Sequence, residues 1–480
     1  MKMLLATAVA ACVLLLSGQG LPGAPPVAEP GNALAGSGDL ARTDGAVPAA
    51  QDGGKLPDDP WALERLAGEG DLAAQDRLAE MLFLGQGCPK DHGRAFEISS
   101  VLAEKGFARS QMVLGALYLD GRVVQKDPVA ARALLEKAAL KGSARARYFL
   151  GAMFFLGEGV PEDRAEAARW WESSASQGDV EAQFGLGVML ELGQGLPADQ
   201  EAAFGWFMRA AERGYSLAQY KVGDMLFMGQ GVDEDRGQAA KWWRLAADQG
   251  DVRAQFNLGL LLAVGLDGAR DPAEAAGWFR KAAEQGHAKA QFSLGRMSNI
   301  GEGVPQDKAE ALRWWRLAAE QGHADAQFCL GRLLERGQGV PIDMAGALMW
   351  FQMAAMQGHA GAQHRLGEIY FKGSEVPRDV TEASMWWRLA SEQGNADSQY
   401  SLGVLYVIGQ GVPRDTGEGL RWFLLAAEQG EPHAQYSIGR LYEYGQGVAK
   451  DDAEAIRWFE LAARQGLREA QAKLAEMRAR

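Results

Sequence analysis

The chain has 480 residues, a formal net charge of −13 and a sequence pI near 5.1. An acidic chain without a Lys/Arg block lacks the electrostatic footprint that phosphate backbones require, so nucleic acid is excluded as a partner class. Three cysteines, Cys12, Cys88 and Cys329, give no disulfide framework. The last two fall far apart in a repeating stack, on the order of tens of ångströms, whereas a bridge needs Cα atoms within about 7 Å.

Met1-Lys2 precedes an apolar run over 3–16, followed by Ser17-Gly18-Gln19-Gly20. A cationic start, a short apolar core and small residues describe a secretory signal over 1–20, with cleavage expected within 17–24. The run is shorter than the ~20 residues of a membrane span. Val9-Ala10-Ala11-Cys12 resembles a bacterial lipoprotein processing box, whose use would make Cys12 a lipid anchor. Because the apolar run continues past Cys12, simple cleavage is the preferred reading. The protein is expected to be exported, periplasmic or extracellular, with lipid anchorage as the variant. Residues 21–58 are rich in Gly, Pro and Ala without periodicity and read as a disordered tether. No later apolar run is long enough to span a bilayer.

Order is expected from Asp59-Pro60-Trp61, an N-cap and a proline at the first helical position, giving a capping helix over 59–70. From there a 36-residue period runs about eleven times without insertion, over 71–466, and a capping half repeat closes the chain over 467–480. A Gln marks each repeat, from Gln75 to Gln435, with Arg147 in the third slot. Four residues later stands a Gly, as at Gly151, Gly295 and Gly367, inside a segment of helical apolar spacing (helix A). Gly inside a helix costs about 1 kcal/mol relative to Ala, so its recurrence implies close helix–helix approach. A Gly-x-Gly-Val-Pro loop ends helix A, seen at 157–161 and 301–305; 121–123 and 265–268 depart from it but keep the period. An Asp opens helix B in every repeat, from Asp91 to Asp451, often with Glu three residues on (Asp307/Glu310, Asp379/Glu382), a capping-box pattern. Helix B carries a recurring Trp, at 170, 206, 242 and onward to 458, expected to face the small residues of the neighbouring helix.

An A-x-x-x-G helix followed by a D-x-x-x-A-x-x-W helix resembles the Sel-1-like repeat, a relative of the tetratricopeptide repeat. The resemblance implies an all-α, right-handed superhelical solenoid of helix-turn-helix repeats that binds proteins or peptides, with helix A lining the concave side.

Bland readings win for most candidate chemistry. The Gly-x-Gly loops follow helices and lack a partner Lys-Ser/Thr, so they are turns, not phosphate cradles. The Asp series are N-caps. His287, His323 and His359 share a slot with Asp71, Asp179, Asp251 and Asn395, which is an N-cap slot for helix A, not a metal site. The i,i+4 pairs Arg244/Asp248, Arg280/Glu284, Arg316/Glu320 and Arg388/Glu392 read as a solvated face. No cofactor, metal or catalytic residue is expected.

Varying positions are free to specify a ligand. On helix A these fall two, five and nine residues after the marker. Repeats three and four give an apolar floor; repeats seven to nine give a basic patch, with Arg296, Arg332, Arg336, Arg365 and Lys372. An aromatic row follows the marker, with Phe292 and Phe328, broken by His364, and reads as packing between A helices. In repeat seven, Ser298-Asn299 replaces large apolar residues. The expected partner-binding set is therefore Phe292, Arg296, Ser298, Asn299, Phe328, Arg332, Arg336, His364, Arg365 and Lys372, facing a protein or peptide with acidic groups. The function expected is a non-catalytic protein-binding scaffold or regulator of the bacterial cell envelope. The alternatives are an envelope-glycan-binding module, which needs exposed flat rings at Phe292 and Phe328, and a hydrolase of cell-wall-type substrates, which needs a nucleophile–base pair.

Overall fold

The computed structural model describes residues 59–266, 268, 270–337 and 341–479. The expected signal peptide, the tether and Cys12 lie outside them. Among the described residues there are 24 helices, from α1 (Pro60–Gly68) to α24 (Arg468–Ala479), and no strand. The chain divides into two compact units between Gln249 and Gly250. Within each unit helices pack on their chain neighbours, and from repeat two onward most extensively inside the A–B pair, such as α14 (Ala288–Ile300) on α15 (Lys308–Glu320).

The boundaries follow from the caps. In repeat seven, Asp307 Oδ1 accepts from the Ala309 and Glu310 amides at the start of α15, and His287 Nδ1 accepts from the Ala290 amide at the start of α14. His323 and His359 do the same one and two repeats on, which confirms the N-cap reading. Gly301 ends α14 in the left-handed region at φ 76, where a Cβ is strained. The second glycine of the loop has a tertiary reason as well. A Cβ on Gly411 would lie 2.5 Å from the Val380 carbonyl, at the start of the preceding repeat's B helix. Where the loop motif departs, at 265–268, Gly265 still ends its helix at φ 78 and Asp271 still caps the next.

Three packing expectations need correction. The ring facing the helix-A glycine is not the recurring Trp but the residue after it. A Cβ on Gly295 would lie 2.5 Å from Trp315 Cδ1, and one on Gly331 would lie 2.7 Å from Phe351 Cε1. Phe207, Phe279, Phe351 and Phe459 in this slot are among the largest fully buried side chains. The recurring Trp lies one step (~100°) around the helix and is buried or half-buried there.

The expected capping box also forms differently. The N-cap amide is already taken by a carbonyl of helix A, as Asp307 N–H donates to Ser298 O at 2.8 Å. The Glu three residues on therefore accepts from the recurring indole: Trp278 donates to Glu274, Trp314 to Glu310 and Trp386 to Glu382, at 2.9–3.3 Å. Likewise, Arg280 bridges to Glu310 of the next repeat at 2.9 Å and Arg388 reaches the Tyr406 hydroxyl at 2.6 Å, instead of forming the expected i,i+4 pairs.

The marker Gln is a brace, a role its recurrence alone did not disclose. Gln327 Nε2 donates to the Ala319 carbonyl at the end of the preceding B helix. Its Oε1 accepts from Gln357 Nε2 at 2.8 Å, in the cap of its own repeat's B helix. The same pair recurs as Gln291/Gln321, Gln363/Gln393, Gln399/Gln429 and Gln435/Gln465. Arg147 replaces the first half of the brace by donating to the Ala139 carbonyl at 3.1 Å.

Candidate functional site

Repeats seven to nine carry the expected basic patch on α14, α16 (Ala324–Arg336) and α18 (Ala360–Lys372). The structure separates its members. Arg296 and Arg336 are exposed, and neither has a carboxylate within 4.0 Å among the described residues. Arg332 is half-buried over the Phe328 ring, 3.6 Å from Glu335. Arg365 is held between Glu335 and Glu368, and Lys372 sits 3.4 Å from Glu368. Burial acts against the Arg365 charge, but hydrogen bonds to both glutamates raise its pKa, while Arg365 holds the partly buried Glu368 carboxyl below its usual range. Glu335, which the sequence reading missed, thus removes much of the patch's free positive charge.

Ser298 is fully buried, with Oγ 3.4 Å from Glu310 Oε2 inside its own helix pair, so it is not on a surface a partner could touch. Asn299 is half-buried, and its carbonyl accepts from Gln306 at 2.8 Å. Cys329, in a varying slot, is half-buried, and burial pushes its thiol up to about 11.

The aromatic row lies along the seam between repeats. Phe292 stacks on His323 at 4.8 Å and Phe328 on His359 at 4.5 Å, each histidine being the N-cap of the next repeat. Met112 fills the slot in repeat two, and the two polar breaks follow one rule. His364 Nδ1 is 2.8 Å from Ser398 Oγ. In repeat one Asp76 occupies the same slot, and its Oδ1 accepts from Ser110 Oγ at 2.6 Å and Ser110 N at 2.8 Å. Ser110 and Ser398 share a slot that is Ala in most repeats, as at Ala290, Ala326 and Ala362. A polar residue replaces the ring only where a serine replaces that alanine. His364–Ser398 meets the distance of a nucleophile–base pair, but Ser398 has no exposed surface, and its counterpart uses Asp. The pair is a packing device, and His364 points at the next repeat.

A second charged concavity lies in the first unit, with a volume of about 780 Å³. It crosses α2 (Leu72–Leu84), α4 (Ala108–Asp120), α6 (Ala144–Leu156) and α8 (Val180–Leu192). At its centre Arg145 binds Asp179 at 3.2 Å and Glu181 at 2.5 Å, both from the next repeat, with its guanidinium 4.9 Å above the Tyr148 ring. Burial acts against the charge on Arg145, and the two carboxylates outweigh it, raising its pKa. The same burial pushes the Asp179 carboxyl up, opposed by Arg145. Arg109 binds Glu80 at 3.0 Å and Asp76 at 3.7 Å. No run of residues marked this cleft, because its charges come from single positions in successive repeats. Among the described residues no cluster of His, Cys, Asp and Glu could hold a metal ion, and no helix is long and apolar enough to cross a membrane.

Stacked helix pairs of 36 residues, locked by a glycine–ring contact and a glutamine brace, define a helical-repeat solenoid. The Sel1 repeat model matches eleven consecutive segments, from 72–107 to 432–467, one residue later in frame than the period read from the markers. The chain belongs to the Sel1 repeat family. It is similar to c5321, a protective antigen present in uropathogenic Escherichia coli strains displaying an SLR fold, with 32% identity, 88% of this chain and 90% of that chain covered and a TM-score of 0.78. It is also similar to a Sel1 repeat protein from Oxalobacter formigenes, at 36% identity over 64% of this chain and 90% of that one, with a TM-score of 0.52. No curated protein matches. Sel1 repeats generally form non-catalytic scaffolds for protein interaction.

Proposed function

We propose that the protein is a non-catalytic scaffold of the bacterial cell envelope that holds a partner protein or peptide along the outer ends of its A helices. One observation carries this. From repeat six to repeat eleven the last residue of the A helix is exposed although most of these residues are apolar: Val264, Ile300, Ile408 and Tyr444 are 49–56% exposed, with the cations Arg336 and Lys372 between them. A repeating apolar–cationic edge on a braced frame suits an extended partner with acidic and apolar side chains, because the receptor has little left to order on binding. Export through the N-terminal apolar segment is part of the proposal, and the likeness to a protective antigen is in keeping with it. The glycan reading is less well supported, since Phe292 and Phe328 are half-buried and each already stacks on a histidine. The test is capture from envelope extracts with the mature protein and with Arg296→Glu/Arg336→Glu. A partner held by the first and lost by the second supports the reading. Equal capture by both overturns the siting, and no partner above an equally acidic control overturns the function.

A further inference from the structure

The cleft of the first unit sits where the repeat pattern is broken. In the second unit the last cap of helix B is a Gln that completes the brace, as Gln357 does for Gln327. In the first unit that slot is basic three times, at Lys105, Lys141 and Arg213. Lys141 keeps the brace, its Nζ donating to Gln111 Oε1 at 3.3 Å, whereas Arg213 does not. Gln183, the marker that Arg213 should brace, is buried, and its Oε1 has no hydrogen-bond partner. Arg213 has turned away from it, and its guanidinium fills the space a side chain on Gly178 would take, at the cleft wall. A cation at a helix C-terminus favours the helix dipole, but that requires neither abandoning Gln183 nor crossing Gly178.

The charges of the cleft are unequally committed. Its carboxylates are all engaged: Asp76 and Glu80 by Arg109, Asp179 and Glu181 by Arg145. Lys90 and Arg213 line it with no carboxylate within 4.0 Å among the described residues. Nε of the deeply set Arg145 has no partner either. The uncommitted groups are therefore donors and cations at both ends of a channel lined by five basic and four acidic side chains, the acidic ones all paired. Successive A helices lie about 10 Å apart, so the cleft runs roughly 30 Å, the reach of about nine residues of extended chain. A free inorganic anion would fill little of it.

We propose that this cleft is a second binding site, which takes an extended peptide segment whose carboxylates pair with Lys90 at one end and Arg213 at the other. It rests on the reading of the chain as a protein-binding scaffold and adds a site separate from the A-helix edge of repeats seven to nine. Arg213 is then a specificity residue: its charge serves the ligand, and the brace to Gln183 is given up for it.

Fluorescence anisotropy of the full chain with a fluorescein-labelled nine-residue peptide of alternating Glu and Gly tests this, with the Lys–Gly peptide as control. Binding at low salt, weakened at least tenfold by Arg213→Gln/Lys90→Gln and less than twofold by Arg296→Glu/Arg336→Glu, is the expected result. Arg213→Gln installs the residue the repeat calls for, so misfolding does not cloud the comparison. Unchanged affinity in Arg213→Gln/Lys90→Gln, or no preference for the Glu peptide over the Lys peptide, overturns the site. Envelope capture surviving that result leaves the scaffold standing without this site. Capture failing while the Glu peptide still binds overturns the scaffold reading instead.

Discussion

The Nδ1 atom of His364 and the Oγ atom of Ser398 lie 2.8 Å apart across the seam between two repeats, where most repeats place a ring against an alanine. Each residue is a departure from the period, and the two compensate each other. His364→Phe alone leaves the buried Ser398 hydroxyl without that partner, which costs about 1–3 kcal/mol. Ser398→Ala alone removes one hydrogen bond, about 1 kcal/mol. The double variant restores the common pairing and should lie near wild type, with a coupling energy of about 0.5–3 kcal/mol in a denaturant-melt cycle. Additive losses would show that the residues act separately.

Trp387 packs over Gly367 with its indole N–H donating to the His364 carbonyl at 3.2 Å. Gly367→Ala gains about 1 kcal/mol of helix propensity but forces the indole aside, so a net loss of about 1–3 kcal/mol is expected. Trp387→Ala should cost about 3–5 kcal/mol, and Trp386→Ala clearly less, because Trp386 is only half-buried. Urea melts of the three variants check the order.

Arg213→Gln should give Gln183 Oε1 the donor it lacks and raise stability by about 0.5–1.5 kcal/mol. Gln357→Ala should do the opposite to Gln327, by a similar amount. A thermal melt in which Arg213→Gln is no more stable than wild type would count against the brace.

Burial lowers the pKa of His287, His323 and His364 below 6.5. The unfolded chain then takes up these protons at a higher pH than the folded chain. Stability is full above about pH 7.5 and falls as pH drops through 6.5 toward the folded values. Protonation also removes the lone pair with which His287 and His323 accept from Ala290 and Ala326, a cap worth about 1 kcal/mol. The melting temperature should be lower at pH 5.5 than at 7.5. His287→Asp/His323→Asp should flatten that limb, because Asp fills the same slot at Asp251 and caps α12 (Val252–Val264).

The period, the two helices of each repeat and their caps were legible in the sequence alone. Gly, Asp and Pro act through local backbone geometry, and a strict 36-residue recurrence leaves one way to stack them. The N-cap role of His287, His323 and His359 was legible too, from the residues sharing their slot. The tertiary structure decided which face each side chain meets. It set Trp315 rather than Trp314 against Gly295, gave the capping glutamates to indoles, buried Ser298 and paired Arg365 with Glu335. It also gathered Arg145, Asp179, Glu181 and Arg213 into one cleft. Those outcomes depend on rotations of about 100° per residue and on neighbours 30–36 positions away, which a linear pattern does not specify.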